Sequence, residues 1–294
     1  MLEPISQLMR AAREGGYAVG YFESWNLESL QGVIDAAEQA RAPVIIGFNG
    51  DFLSHAERSA TERLSWYAAL GRAAAESAAV PCGFIFNECP RDNWVREAMT
   101  LGFNLVMLAD PDAPYDDYVR RVKGLVQSAH RRGVHVEGEL GELPSGASGT
   151  VGETGAPTDP ELAASFVQTT GVDLLAVSVG NIHIKLAGDQ PLDLDRLAAI
   201  RERVSLPLVL HGGTGIAAES LRDAIALGVR KVNYGTYLKQ RYLAAVREAL
   251  GHDVPNPHEV LGMGGRADAM VAGRLAVRDA VLERMEALGC PGKA

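Results

Sequence analysis

The stretch Pro207-Leu208-Val209-Leu210-His211-Gly212-Gly213-Thr214-Gly215 decides the fold. A short apolar run bounded by proline and glycine reads as a parallel strand buried on both faces. It delivers His211 to the carboxyl end of that strand. Three glycines in the next four positions let backbone N–H groups come close to an anion. In α/β proteins that end of the strands is where ligands bind. Alone, the stretch is equally a strand and a tight turn that a histidine merely caps. The flanking sequence separates the two.

On the amino-terminal side, apolar strand patterns fall at 17–22, 43–49, 81–87, 104–110, 135–140 and 173–179. Helical spacing follows them at 27–40, 64–77, 91–101, 115–132, 159–170 and 192–204. Asn26 is placed to cap the first of these helices. Beyond His211 come a helix at 217–228, a strand at 229–235 and a helix at 236–250. Eight strand–helix units in strict alternation call for a parallel sheet, and eight that close on themselves make a single (β/α)8 TIM barrel. The barrel is expected to span 1–294 as one unit, with a C-terminal helical extension over about 256–294 and its helix near 274–288. A long Gly, Ser, Thr and Pro-rich loop at 141–158 interrupts the pattern, and loops of that length are functional lids or disordered.

Composition narrows the function classes. The chain has 294 residues, 47% hydrophobic and 22% charged, with a net charge of −9. That balance leaves no basic stripe for nucleic acid or an anionic membrane. No apolar stretch is long enough to span a bilayer, and the amino terminus lacks the pattern of a signal peptide. Three sparse cysteines, Cys82, Cys89 and Cys290, fit the reducing cytoplasm. Cys82 and Cys89 read as small core residues rather than ligands.

The strand ends collect the chemistry. They carry Glu23, Asn49, Asn87, Glu88, Asp110, Glu137, Glu139, Asn181, His183, His211, Asn233 and Thr236. His183 and His211 end adjacent strands, and with Glu88 they form a two-histidine, one-carboxylate set suited to catalytic zinc; the alternative is a hydrogen-bonded mouth without metal. Gly212, Gly213, Thr214 and Gly215, with Asn233, Gly235 and Thr236, make small polar turns after strands seven and eight. Phosphate sites in this fold form there. Lys185 adds a point charge or is a solvated loop residue. Glu137 and Glu139 alternate, so they share one face of their strand, as a partner for a metal histidine or as structural acceptors.

Over nearly its whole length the chain resembles the class II fructose-bisphosphate / ketose-bisphosphate aldolase family. The resemblance lies in Tyr17-Ala-Val-Gly with Asn26-Leu-Glu, Ala42-Pro-Val-Ile-Ile and Val136-Glu-Gly-Glu-Leu-Gly141. It continues in Asp173-Leu-Leu-Ala-Val-Ser-Val-Gly-Asn-Ile-His183, the 208–215 stretch and Lys231-Val-Asn. It implies one zinc per subunit held by three histidines, two of which match His183 and His211. It implies a ketose C1 phosphate on the 212–215 and 233–236 turns, a mobile loop matching 141–158, and a homodimer or homotetramer. The zinc would polarise the ketose carbonyl and stabilise the enediolate left when the C3–C4 bond breaks.

The departures concern the other half of the site. The family's His-X-Asp-His run is Ile85-Phe86-Asn87-Glu88 here. Asn87 stands for the acid/base Asp, and an amide does not exchange a proton at neutral pH. Glu88 stands for a zinc histidine, and Glu23 for an asparagine. Ile184 stands for the glycine after the sixth strand's histidine. The family's Asp-Pro-Arg, whose arginine reaches the far phosphate of a neighbouring subunit, is Asn256-Pro257-His258. The resemblance therefore implies a metal-dependent aldolase-type lyase for a phosphorylated keto-sugar other than fructose 1,6-bisphosphate. Glu139 or Glu23 would move the proton that Asn87 does not. The alternatives are a sugar-phosphate binding protein without turnover and a sugar-phosphate epimerase or isomerase.

Overall fold

Eight strands buried on both faces can meet that condition by closing on themselves, with helices outside. The computed structural model, which describes residues 1–141, 156–181, 191–251 and 255–294, shows that closure. The strands are β1 (Val19–Glu23), β2 (Val44–Asn49), β3 (Cys82–Cys89), β4 (Leu105–Leu108), β5 (His135–Leu140), β6 (Leu174–Val177), β7 (Leu208–Leu210) and β8 (Val229–Tyr234). Each pairs in parallel with the next, and β8 closes on β1 with Val19 opposite Lys231 and Tyr21 opposite Asn233. The fold is a (β/α)8 barrel.

The helices that follow the strands include α2 (Leu27–Ala40), α4 (Leu64–Ser77), α5 (Asp92–Ala98), α6 (Tyr115–His130), α7 (Pro160–Thr170), α8 (Leu194–Arg203), α9 (Ala218–Ala226) and α10 (Thr236–Leu250). Asn26 caps α2 as expected, its side chain accepting from the Ser29 N–H at 2.9 Å while Ser29 Oγ accepts from the Asn26 N–H. The C-terminal helix is α12 (Ala269–Leu288), one turn longer than the sequence suggested because Asp268 caps it from its side chain. It lies outside the barrel against α2 and α10, held by a two-pronged Arg274–Asp35 pair at 2.6 and 2.8 Å.

Three short or early elements had no counterpart in the sequence reading. They are α1 (Ile5–Gly15), α3 (Gly50–Ser54) and α11 (Pro257–Val260). Buried residues Ile5, Leu8, Met9 and Ala12 give α1 a helical apolar face. Its start is silent in sequence, since Pro4 caps without a side-chain bond and the first turn has no acid.

Candidate active site

The barrel interior below the mouth is built on a buried charge pair. Period-two alternation turns Lys231 and Asn233 of β8 to the same face, and Glu137 and Glu139 of β5 likewise. Lys231 Nζ lies 2.8 Å from Glu137 Oε2 and donates to Asn233 Oδ1 at 2.6 Å, with both ion-pair members fully buried. Burial opposes the charged form of Glu137, but Lys231 and His211 outweigh it and hold its pKa below the ordinary carboxylate value. Glu137 Oε1 stands 2.9 Å from His211 Nε2. With Nε2–H donated to this carboxylate, the ring is fixed in rotation, and Nδ1 is turned toward Glu88 and Glu139.

Two further carboxylates meet Nδ1. Glu139 Oε1 is 3.0 Å away and Glu88 Oε1 is 3.3 Å away. Burial would push the His211 pKa down, but Glu139, Glu137 and Glu88 together raise it to about 10. Glu88 reaches this position through a local distortion. The register between β3 and β4 shifts between Phe86 and Cys89, and Glu88 has φ +50, left-handed backbone that a non-glycine residue rarely adopts. Such a bulge re-aims side chains, so that consecutive Asn87 and Glu88 both line the mouth. Asn49 Nδ2 donates to Glu88 Oε2 at 2.7 Å, while Asn49 Oδ1 caps α3.

These donors fit a divalent metal. Ligand atoms about 2.0–2.1 Å from a tetrahedral zinc lie roughly 3.3 Å apart, which is the Glu88–His211 separation. A carboxylate in the shell suits zinc and oxygen-preferring divalent ions alike. Among the described residues alone, no set of three His, Cys, Asp or Glu side chains completes a metal cage. His183, expected as a further ligand, lies outside the described residues, as do Lys185 and positions 142–155 of the expected lid.

The other side of the mouth is the small-residue end. Gly212 turns left-handed (φ +66) directly after His211, which starts the Gly213–Gly215 helical turn. Gly212, Thr214, Asn233, Gly235 and Thr236 rim a cavity of about 60 Å³ that Tyr21, Asn87 and Glu88 also line. Asn87 Oδ1, Tyr21 OH and Asn233 Nδ2 are buried there without a hydrogen-bond partner among the described residues. Buried polar atoms without partners are costly, and three around one cavity are the mark of a polar ligand.

Glu23 and Lys239 occupy the same end. Their ion pair spans 2.6 Å, and Lys239 Nζ lies 4.1 Å from the centre of the Phe52 ring. Glu23 Oε2 packs against Gly235, where a Cβ would come within 2.3 Å of it. The structure thus brings Glu23 to the turn after β8, and Glu139 to His211. Lys239 was missed from sequence, although a lysine in the first turn of a helix is unfavourable beside the positive dipole end and signals an acid partner. Arg121 was missed too. It binds Asp110 at 2.5 Å and Asp92 at 2.6 Å, so Asp110 is taken up in tying the loop after β4 to α5 and α6. Cys82, Cys89 and Cys290 are buried free thiols, in keeping with a core role for Cys82 and Cys89.

Known proteins resemble this chain over its whole length. The family profile "Fructose-bisphosphate aldolase class-II" matches residues 3–293. The chain belongs to the class II fructose-bisphosphate aldolase family. It is 32% identical over 300 residues to the fructose-bisphosphate aldolase of Geobacillus stearothermophilus, covering 100% of this chain and 99% of the relative. It is similar to the YdjI aldolase of Escherichia coli K12, whose crystal structure superposes with a TM-score of 0.83 at 33% identity over the whole of both chains. At 19% identity, the aldolase from Campylobacter jejuni shares the fold, with a TM-score of 0.76 over 100% of this chain and 97% of that one. Class II family membership makes this protein an aldolase-type lyase of a family that is generally zinc-dependent and acts on sugar phosphates. Among the described residues no helix is long and apolar enough to cross a membrane.

Proposed function

We propose that this class II aldolase cleaves and forms the C3–C4 bond of a phosphorylated keto-sugar other than fructose 1,6-bisphosphate, with one divalent metal, zinc by family, held by Glu88, His211 and His183. The observation that carries the proposal is His211, anchored at Nε2 by Glu137 and facing Glu88 and Glu139 at Nδ1. When bound, the metal supplies Lewis-acid polarisation of the ketose carbonyl. The chain's own groups do the rest. Backbone N–H groups of Gly212, Gly213, Gly215 and Gly235, the Thr214 and Thr236 hydroxyls, Asn233 and Lys185 hold the C1 phosphate. Asn87 Oδ1 accepts from a substrate hydroxyl. Glu139 takes the proton of the C4 hydroxyl as the C3–C4 pair withdraws toward the ketose carbonyl and the aldehyde forms at C4. Glu139 is preferred to Glu23 because it stands 3.0 Å from His211 Nδ1, the nitrogen proposed to face the metal, whereas Glu23 is held by Lys239 beside Gly235.

The substrate assignment rests on the rewritten half of the site. Asn256 caps α11 by accepting from the His258 N–H, and His258 is exposed where the family resemblance implies an arginine for a second phosphate. A ketose carrying one phosphate fits that change. Release of dihydroxyacetone phosphate from a panel of ketose 1-phosphates, set against fructose 1,6-bisphosphate, tests it. At least one monophosphate should be cleaved about tenfold more efficiently than the bisphosphate. Preference for the bisphosphate would refute the assignment, and binding without any cleavage would favour the sugar-phosphate sensor to which Asn87 points.

Two further outcomes follow from the geometry. Glu139→Gln should lower kcat by about 10²–10³-fold, the scale of a lost general acid/base, with the metal content unchanged. Metal analysis beside steady-state kinetics separates this role from a ligand role. Metal binding should also release a proton, because the metal-free imidazole, with its pKa raised to about 10, is charged at neutral pH and must discharge to bind. Apparent zinc affinity should rise about tenfold per pH unit between about pH 6 and pH 9; calorimetry in buffers of different ionisation enthalpy reads the proton directly.

The buried free thiols support a cytoplasmic setting.

A further inference from the structure

A second cavity, of about 340 Å³, opens at the end of the barrel opposite His211. Helix α1 forms one wall, and the amino ends of β5, β6, β7 and β8 form the rest. Its lining carries four arginines, Arg10, Arg13, Arg201 and Arg230, against one carboxylate, Asp173, among the described residues. This concentration of positive charge belongs to a chain with a net charge of −9. The carboxylate is already engaged, since Asp173 Oδ2 accepts from the Val136 N–H at 2.7 Å and lies 2.9 Å from His130 Nε2.

Two of the arginines are held in place by backbone rather than by acids. Arg201 Nη1 donates to the carbonyls of Val204 and Leu206 at 3.3 and 3.1 Å. Gly228, at φ +106, makes room for it, because a Cβ there would lie 2.8 Å from Arg201 Cδ. Arg230 Nη1 donates to the carbonyls of Val229 and Ile225, while its Nε is buried without a partner among the described residues. Burial, then Arg201 and Arg13, hold the Arg230 pKa below its ordinary value, so these guanidinium groups feel one another. His135 Nδ1, on the same lining, is also buried without a partner among the described residues.

We propose that this basal cavity binds a small phosphate-bearing anion at a site separate from the catalytic mouth. Like charges held together by backbone contacts are unfavourable until a counter-charge arrives, and a low-dielectric cleft lined by one sign concentrates such a ligand. Planar guanidinium forks match the oxygens of a phosphate group. The volume is at the small end of the range for metabolite sites. A bound phosphate would link α1 to the starts of β7 and β8 and so raise thermal stability.

Calorimetric titration with inorganic pyrophosphate, and with inorganic phosphate in parallel, tests the site. Wild type should bind the probe and gain thermal stability. Arg10→Glu/Arg13→Glu, both exposed and so safe for folding, should weaken that binding at least about tenfold. Arg120→Glu/Lys123→Glu, which makes the same charge change on exposed positions of α6, should not. Thr214→Val at the mouth should leave the basal event intact, so that failure of the catalytic assignment is told apart from failure here. No binding by wild type, unchanged binding in Arg10→Glu/Arg13→Glu, or equal weakening in the α6 variant would overturn the proposal.

Discussion

Replacing His211 by alanine is expected to strip the protein of its metal and to lower carbon–carbon cleavage on the order of 10³-fold, the scale of losing a preorganised group that stabilises developing charge. The side chain is fully buried, with Glu137 on one nitrogen and Glu88 and Glu139 on the other. Removing it takes away a proposed ligand and leaves three carboxylates facing one another. Because that charge imbalance also threatens folding, His211→Gln is the companion variant, since its amide can still donate to Glu137. It should fold and still lose metal. Glu137→Gln should be milder, about 10–100-fold in metal affinity, as expected for a group that orients a ligand without touching the metal. Plasma mass spectrometry on the set, beside circular dichroism, checks both effects. Full metal occupancy in folded His211→Gln would remove His211 from the metal site.

The largest effect on stability should come from Lys231→Met. This variant leaves Glu137 buried beside His211 without its ammonium partner, and breaking a buried pair from one side costs about 3–5 kcal/mol. For a chain of this size that is a fall in Tm on the order of 10 °C. The pH dependence has a definite sign. In wild type the Glu137 pKa is depressed, so its contribution to stability is present above the ordinary carboxylate pKa and fades as pH falls through the folded value. Losing Lys231 removes one of the two groups that hold that pKa down, so the folded value rises and the variant should lose most at neutral and alkaline pH and least in acid. Removing both charges, in Lys231→Met/Glu137→Leu, should recover more than half of the loss. Thermal melts across the pH range decide the matter. A single variant as stable as wild type would mean that the pair is not a structural element of the barrel.

The fold was legible because most strands are short apolar runs closed by glycine or a polar residue, and because helical spacing intervenes eight times. The convergence of Glu88, Glu139 and His211 was legible for a related reason, since barrel closure brings strand ends together wherever they fall in sequence. What stayed hidden depends on contacts across the barrel. Glu137 and Lys231 are 94 residues apart, and Glu23 and Lys239 are 216 apart, so no local spacing announces either pair. Glu88 was expected at the mouth, but the bulge and positive φ that turn it toward His211 left no glycine in the sequence to mark them. Helix α1 lacked the usual start signals.

The most direct test of the catalytic claim needs no knowledge of the aldehyde partner. Zinc-loaded protein is incubated with dihydroxyacetone phosphate in deuterium oxide, and exchange at the hydroxymethyl carbon is followed by proton NMR. The site described here predicts stereospecific loss of one of the two protons in wild type and none in His211→Gln. Absence of exchange in metal-loaded wild type, with the triose phosphate bound, would contradict it.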